Sequence, residues 1–380
     1  MDDPYLDRAR RVLARVPLVD GHNDLPCAIR EWPDAPGDVR AYDLRARTPG
    51  RTDLERLRRG MVGAQFWAIY VPCESAAPRQ VALEQIALAK AVFATYPEQL
   101  EETTDAADVE RIFRAGRIAC LLGLEGGHAI EASLEVLRNY FELGVRYLTL
   151  THNCTTEWAD AGWDEPRHGG LSRFGVEVVR EMNRLGMMVD LSHTSADVMR
   201  QTIDVSDAPV IWSHACARAL VDHPRNVPDD VLRRLPTNGG IVMITFVPAF
   251  VGARHHGWDT SETERRQTLE ATHGSGDVQV ARGLEEWRRL NPEPQASLAE
   301  VADHVEHVRD MAGIDHVGIG SDFDGSTRVV EGLEDVSTFP DLFAELARRG
   351  WDEEELAKLA GENMLRVMRA VAATGARLRG

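Results

Sequence analysis

His22 and Asp24 stand one residue apart where an apolar run ends, in PLVDGHNDLP (17–26). Side chains of a strand alternate between its faces, so this imidazole and this carboxylate point the same way. Such a pair can hold a metal ion, or it can simply hydrogen-bond within itself. The rest of the chain favours the first reading, because the same ending recurs. Glu125 closes IACLLGLEGG, His152 closes RYLTLTHN, His193 closes MMVDLSH and His214 closes PVIWSH. Asp322 and Asp324 close VGIGSDFDG. A single histidine at a strand end is ordinarily a hydrogen-bonded structural residue. Six apolar runs that all end in a metal-binding or titrating side chain are poorly explained by packing.

Imidazoles and carboxylates without thiolates suit zinc or a similar divalent ion at a catalytic site. His22, Asp24, Glu125, His193 and His214 make five ligands, more than the three a single catalytic zinc takes. Two zinc ions about 3.5–4 Å apart, sharing one carboxylate and one hydroxide, would use them all. His22 and Asp24 are assigned to one ion, His193 and His214 to the other, and Glu125 to both. A carbamylated lysine is the other common bridge, but the lysines are Lys90 and Lys358, and neither lies near a strand end. Asp322 is then free to relay a proton as catalytic acid and base, with a sixth ligand or a loop cap as its plainer role. His152 is placed to donate to a developing oxyanion. Arg225, in HPRNVPDD, could grip a substrate carboxylate with its fork of N–H groups. In a chain this rich in arginine, its residues alone fit a solvated loop position better. Asp324 reads as a turn residue beside Gly325. His255 and His256 lie in a polar stretch and are expected to be exposed. His304 and His307 share a helix face but have no acidic third ligand at metal spacing. His128 reads as a loop residue near Glu125. Trp158 and Trp163 either line the mouth of the site or pack against it.

Elements that could gather these residues follow from the pattern. Apolar β-type runs cover 18–24, 64–71, 118–126, 146–153, 187–193, 209–214, 240–246 and 317–322. Helical patterns alternate with them, as in 81–96, 131–143 and 174–185. Eight such runs predict a parallel (β/α)8 barrel, in which every strand's C-terminal end opens at one mouth. A doubly wound open sheet is the alternative, with its site between two strands at a switch point. One barrel domain spanning 1–380 is expected.

Composition narrows the partners. The 380 residues are 43% hydrophobic and 27% charged, with a formal net charge of −18. An acidic surface argues against nucleic acid and anionic membrane as partners. No window is long and apolar enough for a transmembrane helix, and neither end reads as a secretory or lipid-anchor signal. Five scattered cysteines without a CxxC pair give no thiolate zinc site and no disulfide scaffold. The expectation is a cytoplasmic protein.

These motifs resemble the membrane (renal) dipeptidases of the amidohydrolase superfamily. The likeness rests on DGHNDLP, AQFWAIYVPC, LLGLEGGHAI, RYLTLTHN, MVDLSHTS, WSH, RNVPDDVL, GIGSDFDG and VEGLEDVS, and runs from about residue 15 to about 370. The resemblance implies a two-zinc barrel hydrolase that cleaves dipeptides and often accepts a D-residue at the C-terminal position. It implies the ligand set given above, substrate contacts from His152 and Arg225, and Asp322 as the acid/base. It also suggests a homodimer. Cys73 and Cys154 match a disulfide pair of that family, but cytosolic thiols stay reduced, so the bond is left open. Residues 251–300 form an insertion relative to the animal enzymes; placed after strand 7, it would cover the mouth. Phe246 and Phe250 also depart from the animal pattern.

The combined reading is a dipeptidase for L-Xaa-L-Xaa and L-Xaa-D-Xaa substrates, acting by attack of a metal-bridging hydroxide. Another binuclear amidohydrolase reaction, on a lactone, an ester or a deamination substrate such as an amino-purine, is the runner-up. A non-catalytic relative is the third reading, disfavoured by the complete ligand set.

Overall fold

The computed structural model describes residues 3–380. Its frame is a closed ring of eight parallel strands. These are β1 (Leu18–Asn23), β2 (Val62–Tyr70), β4 (Ile118–Glu125), β5 (Val145–Thr149), β6 (Met188–Asp190), β7 (Ile211–Ala215), β8 (Ile241–Ile244) and β9 (Val317–Ile319). The order runs β2-β1-β9-β8-β7-β6-β5-β4, and β2 pairs with β4 from Ala64↔Ala119 to Tyr70↔Glu125 to close the ring. The open-sheet alternative is thereby excluded. Strand β3 (Leu100–Glu102) adds a short pairing with the start of β4. The sequence pattern misses it because LEE is too short and too polar to register.

Nearly every strand residue is buried, as expected when a barrel core lies on one face and a coat of helices on the other. The helices begin where the chain supplies caps. Ser133, Ser172, Ser195 and Ser297 each accept from the first turn that follows, and Ser297 and Glu300 complete a capping box. The helix expected from residue 131 starts only at Leu134, because Glu131 and Ala132 adopt left-handed backbone (φ 50° each). After β8 the chain forms a helical hairpin, Ala253–His273 and Val278–Leu290. Among the described residues no helix is long and apolar enough to cross a membrane.

One close approach inside the ring matters for the site. A Cβ on Gly123 would overlap the Tyr147 ring, so only glycine lets that phenol lie across the barrel. Its hydroxyl reaches His22.

Candidate active site

The barrel brings His22, Asp24, Glu125, His193, His214 and Asp322 together at the C-terminal ends of its strands. The strands stop earlier than the sequence pattern predicts. His152, His193 and Asp322 are each the third residue beyond the end of β5, β6 and β9, whereas His22, Glu125 and His214 lie within strands. His193 and Asp322 adopt left-handed backbone (φ 67° and 64°), as does Asp324 (φ 67°). Such strain in non-glycine residues persists only where the surroundings enforce it.

Each imidazole is fixed through its Nδ1. His193 Nδ1 lies 3.0 Å from Asn153 Oδ1, which can only accept, so Nδ1 carries the proton. His214 Nδ1 lies 2.8 Å from Ser213 Oγ, whose own hydroxyl donates to Asp190 (2.7 Å). His22 Nδ1 lies 2.9 Å from the Tyr147 hydroxyl, which donates to the Gly21 carbonyl (3.2 Å). The network therefore turns three Nε2 lone pairs inward. They converge on Glu125: His193 at 2.8 Å and His214 at 3.4 Å from Oε1, His22 at 3.5 Å from Oε2. His22 Nε2 is buried without a hydrogen bond, 3.3 Å from Asp24.

Lone pairs facing one another repel unless a cation lies between them, and the Nε2 atoms of His193 and His214 are 3.0 Å apart. Two donor triads emerge, His22–Asp24–Glu125 and Glu125–His193–His214, and they share Glu125. Nitrogen and oxygen donors without sulfur fit zinc or a similar divalent ion. A third grouping, His22–His214–Asp322, brings the remaining carboxylate alongside.

The electrostatics of the cluster also call for positive charge. Burial disfavours the Glu125 carboxylate, but His22 first, and then the close imidazoles of His193 and His214, hold it well below the usual range. His22 is raised well above the histidine range: burial opposes this, and Tyr147, Glu125 and Asp24 outweigh it. Burial first, then Arg225 for His193 and His22 for His214, depresses the other two well below it. Asp322 is pushed well up by burial and then by the neighbouring Asp24 carboxylate.

A cavity of about 460 Å³ opens on this cluster, lined among others by Glu125, His152, His193, Trp163, Phe250 and Asp322. Arg225 lies behind its wall, 1% exposed. Its Nη2 donates to the His214 carbonyl (3.2 Å), while Nε and Nη1 have no partner, an arrangement that a bound carboxylate would complete. The expectation of a solvated Arg225, drawn from its residues alone, is corrected by this burial. A larger hollow of about 790 Å³ sits at the opposite, N-terminal end of the barrel. Its five arginines pair with Glu353, Glu98, Glu55, Glu110 and Glu101, and nothing there converges on a reacting atom.

Other residues fall out as follows. Cys73 and Cys154 form a disulfide that ties the loops after β2 and β5 beside His152, answering the question left open. His255 is buried and paired with Glu293 (2.9 Å), which overturns its expected exposure; the partner is too distant in sequence to be seen. His304 spends both nitrogens on the Ala217 amide and the Val251 carbonyl, and His307 Nε2 pairs with Asp229 (2.8 Å). His128 meets the Pro72 carbonyl. Trp158 is fully packed, while Trp163 lines the mouth. Asp324 is more than a turn residue: it accepts from the Arg51 amide (2.6 Å) and lines the cavity. Sequence reasoning did not single out Asn153, Tyr147 and Ser213, which orient the histidines. Ser213 and Asn153 at least adjoin His214 and His152; Tyr147 carries no local signal.

A parallel barrel with imidazoles and carboxylates converging at its C-terminal mouth has the build of a metal-dependent hydrolase. The family model for membrane dipeptidase (peptidase family M19) matches residues 6–380, and the chain belongs to that family of dipeptide-cleaving metallopeptidases. It is 43% identical over 377 residues to Dipeptidase 3 of Mus musculus, covering 97% of this chain and 67% of that protein. Its fold matches a crystal structure described as the probable dipeptidase PvdM from Pseudomonas aeruginosa. The TM-score is 0.84 at 24% identity, over 98% of this chain and 100% of that one. The structure of dipeptidase AC, a metallopeptidase of family M19, matches with TM-score 0.75 at 27% identity, over 94% and 98% of the two chains.

Proposed function

We propose that this chain is a binuclear zinc dipeptidase for L-Xaa-L-Xaa and L-Xaa-D-Xaa substrates. The observation that carries the reading is the inward turn of three Nε2 lone pairs onto one shared carboxylate, Glu125. His22 and Asp24 would hold one ion and His193 and His214 the other, with Glu125 shared between them. Ions bound there supply Lewis acidity toward the scissile carbonyl and ionise water near neutral pH. The chain's own groups do the rest. Arg225 grips the free C-terminal carboxylate with its unpartnered Nε and Nη1, which sets the register of the peptide bond. His152, whose imidazole is kept neutral mainly by burial, donates an N–H to the carbonyl oxygen as charge builds there. Asp322 takes the proton released by the attacking water and passes it to the leaving amine.

A buried arginine left without its anion is costly, so a substrate lacking the carboxylate is rejected. The test is turnover of L-L and L-D dipeptides by zinc-loaded protein, with N-acetylated and C-amidated versions as controls. Cleavage of free dipeptides but not of C-amides is the expected outcome. Equal cleavage of the amides would remove Arg225 from its role. No cleavage of any peptide, with two ions per chain confirmed, would point to an ester, lactone or deamination substrate.

A further inference from the structure

Asp322 is tied to β1, its amide donating to the His22 carbonyl (3.1 Å) and the Phe323 carbonyl accepting from the Asp24 amide (2.9 Å), but the chain beyond Phe323 leaves that pairing. Beyond β9 the chain passes through Asp322 and Asp324, both in left-handed backbone, before Arg328. Asp322, Asp324, Gly325, Ser326 and Thr327 all line the catalytic cavity. Strained backbone of this kind needs anchors outside itself. One anchor is Arg51, whose amide donates to Asp324 (2.6 Å) and whose Nη2 donates to the Thr327 carbonyl (3.3 Å).

A further anchor, at the far end of the segment, is Arg328. Its Nη2 donates to Glu262 (2.8 Å), its Nε lies 3.3 Å from Glu293, and its Nη1 pairs with Asp259. Its guanidinium also lies 4.8 Å from the centre of the Trp258 ring. Asp259, Glu262 and Trp258 belong to the first helix of the hairpin, and Glu293 follows the second. Arg288 on the second helix donates to the same Glu262 (2.8 Å). One side chain therefore joins both arms of an outer hairpin to the segment that delivers the acid/base.

We propose that Arg328 is a positioning residue: through Asp259, Glu262 and Glu293 it braces the Asp322–Thr327 segment against the hairpin and so sets where the Asp322 carboxyl stands. The proposal rests on the role given to Asp322 above. The competing explanation is that these pairs hold only the hairpin. The two differ in what they move. A brace on Asp322 acts on the proton-transfer step and lowers kcat, leaving the metal ligands and Arg225 untouched. It also weakens with salt, because Arg328 is 31% exposed, and raising NaCl from 0.1 to 1 M shortens the screening length from about 10 to about 3 Å.

The experiment uses the zinc-loaded full chain and L-Ala-L-Ala. Arg328→Met is expected to lower kcat about tenfold, with KM within about twofold and zinc content unchanged. Wild-type kcat falls between 0.1 and 1 M NaCl, whereas the variant's does not. Glu262→Gln moves kcat the same way by less, because Asp259 and Glu293 remain, and it serves if Arg328→Met folds poorly. Wild-type kcat in Arg328→Met, alongside faster amide exchange over 253–290, would overturn the brace and leave a contact that holds only the hairpin. Asp322→Asn runs in parallel. Full activity there would overturn the assignment of Asp322 itself, whereas an inactive Asp322→Asn beside a fully active Arg328→Met would overturn only the brace.

Discussion

Two buried glutamates, each met by three basic side chains, do different work. The Glu125 side chain is 5% exposed and faces His22, His193 and His214. That of Glu262 is 6% exposed and faces Arg266, Arg288 and Arg328. A guanidinium keeps its proton, has no lone pair to give and brings its charge with it. Three of them neutralise Glu262 outright and make a joint. Imidazoles with Nδ1 tied present lone pairs instead, so the cluster around Glu125 is short of positive charge, which bound cations would supply under the proposed function. What separates a metal centre from a structural knot is whether the partners of the acid bring their charge or wait for it.

That contrast breaks most directly at the two acids. Glu125→Gln is expected to lose bound zinc and to lower turnover by more than the roughly 10³-fold that loss of one oxyanion donor costs. Glu262→Gln keeps its zinc. Metal per chain by elemental analysis, read beside turnover, separates the two, and retention of both ions by Glu125→Gln would sink the bridging role. Next in size, Asp322→Asn keeps zinc while kcat drops on the order of 10²–10⁴-fold, the range for a lost general acid/base. Near wild-type turnover there would return Asp322 to a structural role. A smaller effect sharpens the picture. Tyr147→Phe removes the acceptor for His22 Nδ1–H and frees that ring's tautomer, so zinc binds about 10–100-fold more weakly in a competition titration against a chelator. Unchanged affinity would mean that packing alone orients His22.

The residues that converge at the mouth were legible because an apolar run that stops in a histidine or an aspartate is conspicuous, and a barrel sends all such endings to one place. The eight-strand ring followed from the same alternation. Strand β3 did not, since three residues hold too little pattern, and the strands were drawn too long because VDLSH and GIGSDF read on as alternation after the pairing ends. What orients the histidines was not legible. Tyr147 is 125 residues from His22, and an aromatic inside a strand looks like core until the Gly123 gap is seen. Arg225 could not be told from any other loop arginine, because burial is a property of the fold rather than of the residue. His255 was misjudged for the same reason.

His304 carries the comparison to a buried base with no vacancy at all. It sits on the helix Leu298–Ala312, fully buried. Nδ1 accepts from the Ala217 amide just after β7 (3.0 Å), and Nε2 lies 3.0 Å from the Val251 carbonyl, to which it donates. Both nitrogens are spent on backbone, so no lone pair is left for an ion, and a proton can enter only by breaking the bond to Ala217. Burial, with a further push from His307, lowers its pKa from 6.5 to about 4, against the Val251 bond and Asp303, which act to raise it. The folded state therefore binds fewer protons than the unfolded one in this range. Its contribution is fully present above pH 6.5 and is lost as pH falls toward 4, amounting to about 3 kcal/mol when complete. His304→Gln keeps a donor and an acceptor but does not titrate. Urea unfolding from pH 7 down to pH 4 is expected to show a flatter loss of stability in the variant, even if it starts about 1 kcal/mol lower at pH 7 from imperfect hydrogen bonds. Parallel curves for the two proteins would mean that His304 accepts its proton in the fold as readily as in the open chain, and that acid sensitivity belongs to the Glu125 cluster instead.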